Sequence, residues 1–129
     1  MAEHIIRVLL VDDHQVVLNS IQALVGREPD IEIVGTAVSG LEAIELAEKE
    51  EPDVIVMDVS MPELDGIRAA GEIKKRGVVS KIIMLSMHYS SALVQQARRN
   101  GASAYIIKQQ ASSELVPAIR AAYAGALSL

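Results

Sequence analysis

Residues 5–11 (IIRVLLV) form a nearly continuous apolar run, interrupted only by Arg7. A run without polar alternation reads as a strand buried on both faces. Residues 31–37, 54–57, 81–85 and 104–107 carry the same short apolar signature. Between them lie stretches with helical spacing. Residues 16–27 place Val17, Ile21 and Leu24 on one face, and Pro29-Asp30 marks the break that follows. Ser39-Gly40-Leu41-Glu42 fits a capping box, with Leu41, Ile44 and Ala47 behind it on one apolar face before Pro52. Asp65 is placed to cap a helix running to residue 76. Residues 91–100 make the next helix, which Gly101 is placed to stop. The last helix is expected over 113–124, turning Leu115, Ile119 and Ala122 or Tyr123 toward the sheet.

Five alternating strand–helix units with short connections imply right-handed crossovers and a parallel sheet covered on both faces. The doubly wound strand order 2-1-3-4-5 suits this pattern. It makes the first and third strands neighbours and puts the fourth and fifth beyond the third.

Composition narrows the function. At 129 residues, half of them apolar, the chain is most simply one domain with a real core. Trp and Phe are absent and there are only three Tyr, so broad aromatic platforms for bases or flavins are missing. The net charge is −5 and there is no basic run, which argues against direct nucleic-acid contact. The lack of Cys removes disulfides, thiolate metal sites and cysteine nucleophiles. No run reaches the roughly 20 apolar residues that span a bilayer, and the start lacks a signal-peptide stretch. A cytoplasmic location and no membrane insertion are expected.

The chemistry sits just past the apolar runs: Asp12-Asp13, Asp58, Ser86 and Lys108. A parallel sheet gathers these at one edge. Asp58 is the candidate nucleophile, its carboxylate attacking phosphorus to form an acyl phosphate. Charge repulsion in that step calls for a divalent cation. Asp13 and Asp58 are the expected protein ligands, with Asp12 acting directly or through water and the Ser60 backbone carbonyl as a further oxygen. An oxygen-rich set suits Mg²⁺. Lys108 can contact Asp58 before reaction and phosphoryl oxygens afterwards. Ser86 can donate to a phosphoryl oxygen, drawing Met87 and His88 with it, and Tyr105 can move into the vacated space as a switch residue. Read singly, each has a plainer use. Asp12 and Asp13 can cap the first helix, Asp58 and Ser86 can be turn residues, Lys108 can face solvent and Tyr105 can be static packing. His14 is expected to cap or hydrogen-bond rather than ligate metal. No GxxxxGK or GxGxxG signature is present.

LLVDDH at 9–14, VIVMDVSMPELDG at 54–66, KIIMLSMH at 81–88 and GASAYIIK at 101–108 together resemble the receiver domain of a two-component response regulator, over essentially the whole chain. DDH, EPDIEIVG, LSMH and AIRAAYAG look most like its NarL/FixJ-type branch. The resemblance implies a flavodoxin-like (CheY-like) fold and phosphoryl transfer from a sensor histidine kinase to Asp58. It implies magnesium organised by Asp12, Asp13 and the Ser60 carbonyl, phosphoryl contacts from Ser86 and Lys108, and reorientation of Tyr105. Such a domain catalyses its own modification and is not a turnover enzyme. A phosphorylation-dependent homodimer is a further expectation.

Members of the branch usually carry a C-terminal helix-turn-helix domain. Residues 1–125 are expected to be the receiver and 126–129 a terminus or the start of a linker to such an output domain. Leu18 stands where Arg is common, so the first helix offers either a more apolar partner surface or a packing residue. Gln109 follows Lys108 where Asp or Pro is common, which puts the geometry of that loop in question. The alternative function is a phosphorylation-independent, receiver-like interaction domain.

Overall fold

A computed structural model describes residues 4–125 and 129. Five parallel strands form one sheet in the order 2-1-3-4-5, as the sequence pattern implied. They are β1 (Ile6–Val11), β2 (Ile31–Ala37), β3 (Val54–Asp58), β4 (Lys81–Ser86) and β5 (Ala104–Ile107). The helices are α1 (Gln15–Gly26), α2 (Gly40–Glu50), α3 (Gly66–Lys75), α4 (Ser91–Arg99) and α5 (Ala111–Tyr123). The expectation of a terminus or linker over 126–129 falls mainly on residues 126–128, outside the described residues.

The apolar runs of β3 and β4 divide by parity, because successive side chains of a strand point to opposite faces. Ile55, Met57, Ile82 and Met84 pack on one side with Ile44, Ile67 and Ile73 from α2 and α3. Val54, Val56, Ile83 and Leu85 pack on the other with Leu18 and Ile21 from α1 and Leu115 and Ile119 from α5. Each of these β3 and β4 side chains is at most 1 % exposed. Burial on both faces is why these strands read as continuous runs.

The starts of α2, α3 and α4 follow the capping chemistry. Asp65 accepts the Arg68 amide at 2.9 Å, and Ser90 caps α4 by accepting the Leu93 amide at 3.3 Å. Ser39 accepts the Glu42 amide at 3.2 Å, and the Glu42 carboxylate accepts the Val38 amide at 2.9 Å. The box therefore closes one residue earlier than the standard pattern, on Val38 rather than on the cap residue. Gly101 ends the α4 segment at φ +91°, as its position suggested. Arg7, the interruption in the first run, donates to the carbonyls of Glu50 and Glu51 at 2.7 and 3.2 Å. Its guanidinium thereby satisfies orphan carbonyls at the C-terminus of α2.

Three expectations need correction. Leu41 is 61 % exposed, so the buried face of α2 is Gly40, Ala43, Ile44 and Ala47. The buried face of α1 is Leu18, Ile21 and Val25, whereas Val17 and Leu24 are only partly buried beside it. Leu18 is 1 % exposed, so it is a core residue and offers no partner surface. Helix α5 begins at Ala111 rather than 113, because a 3-10 turn over Lys108–Gln110 leads directly into it. Ala122 faces the core and Tyr123 stays exposed.

Candidate functional site

The register of the sheet gathers the candidate residues. Val11 pairs with Met57, Asp58 with Leu85, and Ser86 with Ile107. Asp12, Asp58, Ser86 and Lys108 thus emerge at the carboxyl ends of four strands. In this topology the chain turns to opposite sides after β1 and β3, which leaves a crevice at that edge.

The side chains of Asp12, Asp13, His14 and Asp58 offer ligand atoms that all lie within 4.8 Å of one another. Asp12 is fully buried and Asp58 is 2 % exposed. Lys108 Nζ stands 2.9 Å from Asp12 Oδ2 and 3.2 Å from Asp58 Oδ1. The Ser60 amide donates to Asp58 Oδ1 at 3.3 Å, and the His14 amide donates to Asp12 Oδ1 at 2.9 Å. Asp12 therefore both orients the turn after β1 and faces the cluster, combining the two uses the sequence left open. Among the described residues, buried Asp58 Oδ2 has no hydrogen-bond partner. The Lys108 ammonium contacts two of the three carboxylates, and a buried acceptor without a donor is costly.

This set fits a hard divalent cation. Its donors are oxygens apart from His14, they converge, and Asp58 Oδ2 is left uncompensated by the protein. The three carboxylates that the sequence singled out as ligands are all in the cluster. Ser60 lies at its rim, tied in through its amide. Ser86 is buried at the end of β4, where its hydroxyl accepts the His88 amide at 3.2 Å.

Tyr105 stands further off. Its hydroxyl donates to the His88 carbonyl at 2.9 Å, joining β5 to the loop after β4. Its ring meets Tyr89 edge-on at 6.5 Å between centroids. Sequence reasoning did not single out Tyr89, since no local spacing links positions 89 and 105. For His14 the sequence expects capping or hydrogen bonding rather than metal ligation. His14 occupies the capping position of α1 but makes no capping hydrogen bond with its side chain. Its ring lies 3.2 Å from Asp13 Oδ1 and 3.5 Å from Asp12 Oδ1.

Burial, reinforced by the charge of Asp12 and opposed by Lys108, pushes the Asp58 carboxyl up to about 6. Burial works against the Lys108 charge, but contact with Asp12 and the negative field of Asp58 outweigh it and hold its pKa above the ordinary lysine value. A carboxyl raised on folding binds its proton more tightly in the native state. Its contribution therefore favours the fold at low pH and declines as pH rises through the interval from about 4 to about 6. Ionising it costs the metal-free fold about 3 kcal/mol at neutral pH, with about 1 kcal/mol of this developing between about pH 5 and 7. Urea unfolding in chelator at the two pH values should show this drop in the parent chain. Asp58→Asn should not show it.

A family model described as "Response regulator receiver domain" matches residues 8–120. The chain is 42 % identical over 116 residues to the transcriptional regulatory protein PdtaR of Mycobacterium tuberculosis, covering 90 % of this chain and 56 % of that protein. It is 32 % identical over 122 residues to the nitrate/nitrite response regulator protein NarL of Escherichia coli, covering 95 % of this chain and 56 % of NarL. The chain thus spans about half the length of the curated relatives it matches. Its fold superposes with a TM-score of 0.92 on a two-component response regulator of the LuxR family from Aurantimonas sp. SI85-9A1, at 35 % identity over 97 % of this chain and 89 % of that one. With the sheet order, the acidic crevice and these likenesses in agreement, the chain belongs to the response regulator receiver domain family, close to its NarL/LuxR branch.

Proposed function

We propose that Asp58 accepts a phosphoryl group from the phosphohistidine of a sensor histidine kinase, with Mg²⁺ held by Asp12, Asp13, Asp58 and the Ser60 carbonyl. The observation that carries this reading is the buried Asp58 carboxylate, with Oδ2 free of any hydrogen bond, between an acidic pair and Lys108. When bound, Mg²⁺ supplies positive charge that lets an anionic phosphoryl group approach an anionic nucleophile. The Asp58 oxygen forms the new bond to phosphorus as the phosphorus–nitrogen bond breaks, and the departing imidazole nitrogen keeps the bonding pair. Lys108, held against Asp58 before reaction, is placed to take up phosphoryl oxygens as its own carboxylate contact is lost.

The resting hydrogen bonds also suggest how the change spreads. If the Ser86 hydroxyl turns to donate to the phosphoryl group, its contact with the His88 amide must rearrange. The His88 carbonyl is the acceptor for Tyr105, so the loop shift reaches the partly buried Tyr105 of β5 and the exposed Tyr89 ring against it. That path makes Ser86 and Tyr105 the switch residues of a two-state domain. Its output is a phosphorylation-dependent partner surface, homodimer included, which controls a DNA-binding output domain lying outside these 129 residues. An apolar groove of about 740 Å³ between α1 and the Lys108 turn, flanked by exposed Val16 and Met87, offers partner surface beside the site. Among the described residues no helix is long and apolar enough to cross a membrane, which is compatible with a reaction in the cytoplasm.

Incubation with a small phosphoramidate donor, with and without Mg²⁺, followed by intact-mass measurement, tests the reading. One added phosphoryl group that requires Mg²⁺ supports it. A folded chain of unchanged mass with competent donors would favour the phosphorylation-independent interaction domain. A second test concerns Lys108. Removing its charge deepens the negative potential, so Lys108→Ala should bind Mg²⁺ about tenfold more tightly. Calorimetric titration checks this, and an unchanged affinity would argue that Lys108 does not share the cation site.

A further inference from the structure

We propose that the same crevice takes a late first-row divalent ion of the Co²⁺/Zn²⁺ class, with His14 Nδ1 joining the carboxylates as a ligand, and that this ion competes with Mg²⁺. The inference rests on reading the acidic cluster as a cation site and adds to it a choice among cations.

Two donors bound to one cation at about 2.1 Å each lie about 3.0 Å apart along an octahedral edge and about 3.4 Å apart in a tetrahedron. His14 Nδ1 is 3.2 Å from Asp13 Oδ1 and 3.5 Å from Asp12 Oδ1, within the range that a shared ion imposes. Among the described residues, nothing else holds the ring. It sits at the capping position of α1 without a capping hydrogen bond, and its side chain is 66 % exposed, so it can tilt onto an ion without unpacking the core. The buried Asp58 Oδ2, without a hydrogen-bond partner, supplies an independent sign of an unmet cationic ligand in the same crevice.

Charge does not discriminate here. Lys108 and the carboxylates act alike on any dication of the same size, whereas an imidazole nitrogen does not. Mg²⁺ prefers oxygen and holds its water, while Co²⁺ and Zn²⁺ gain from nitrogen and stand higher in the general affinity order. Asp12, Asp13, Asp58 and His14 offer four donors within 4.8 Å of one another, and drawing them together onto a Zn²⁺ would make a closed site. No position would then remain for a phosphoryl oxygen, so the ion would inhibit phosphoryl uptake.

The chain has three histidines, so the test uses a His4→Ala/His88→Ala background in which His14 is the only imidazole. Co²⁺ titration at about pH 8, where free imidazole is neutral, is read by visible absorption, and Mg²⁺ affinity is read by calorimetry. Adding His14→Ala should weaken Co²⁺ binding about tenfold or more and shift its absorption band, while Mg²⁺ affinity changes less than about threefold. Zn²⁺ should suppress phosphoryl uptake in the parent and do so less in the His14→Ala chain. Unchanged Co²⁺ affinity and spectrum, or equal losses for Co²⁺ and Mg²⁺, would overturn the inference. Phosphoryl uptake in Mg²⁺ is measured on the same samples. Normal uptake without a His14 effect on Co²⁺ overturns this inference alone. A His14-dependent Co²⁺ site without uptake overturns the Asp58 reading and supports this one.

Discussion

Asp58→Asn will yield a folded chain that takes up phosphoryl groups on the order of 10³-fold more slowly, or not at all, because the attacking oxygen is gone. The same change will stabilise the metal-free protein. Asp58 is 2 % exposed, its pKa is raised to about 6, and one of its oxygens has no hydrogen-bond partner. Ionised at neutral pH, it costs the fold up to about 3 kcal/mol, and a neutral amide of the same shape removes much of that cost. Lys108 keeps its contact with Asp12, so the substitution does not strand a buried ammonium. Urea unfolding in chelator should show a gain of about 1–3 kcal/mol. A gain in stability joined to a loss of uptake is the signature of a residue kept for chemistry at the expense of the fold. A loss of stability would mean that Asp58 is chiefly structural.

Gly66→Ala should have the largest effect on stability. Gly66 opens α3, and its amide donates to the Val59 carbonyl at 2.9 Å. A Cβ built there would overlap the backbone carbonyl of Asp58 and come within 2.9 Å of Met84 Cε. The methionine end can move, but the Asp58 carbonyl belongs to a fully buried central strand and cannot do so cheaply. Relief requires α3 to separate from the end of β3, at a cost of about 3–5 kcal/mol. The displaced carbonyl belongs to the proposed nucleophile, so Mg²⁺ affinity should fall together with stability. Thermal unfolding and Mg²⁺ titration of the variant check both effects. A variant with parental stability would show that the helix start adapts without disturbing the strand.

The two substitutions also mark how far the sequence could be read. The strands were legible because burial on both faces leaves runs such as residues 54–57 and 81–85 without polar alternation. Once their order was inferred, Asp12, Asp58, Ser86 and Lys108 had to meet, each being carried to the same edge. Helix α1 was harder. Val17, Leu18, Ile21, Leu24 and Val25 form two overlapping stripes, and only packing against α5 and the sheet selects Leu18, Ile21 and Val25 for the core. The start of α5 was missed because its 3-10 lead-in, Lys108–Gln110, has no capping residue to announce it. Gly66 was legible as a helix start but not as a point of contact with Asp58. The meeting of Tyr89 with Tyr105 and the turn of His14 onto the acidic pair depend on side-chain direction, which local patterning does not encode.

The central claim is that Asp58 is the atom-level acceptor in a cation-assisted transfer. Borohydride reduction after phosphodonor treatment tests it most directly, because reduction of an aspartyl phosphate leaves homoserine at the modified position. Peptide mass mapping should find homoserine at residue 58 when Mg²⁺ is present and not in chelator. Homoserine at residue 12 or 13, or labelling equal in the two conditions, would contradict it.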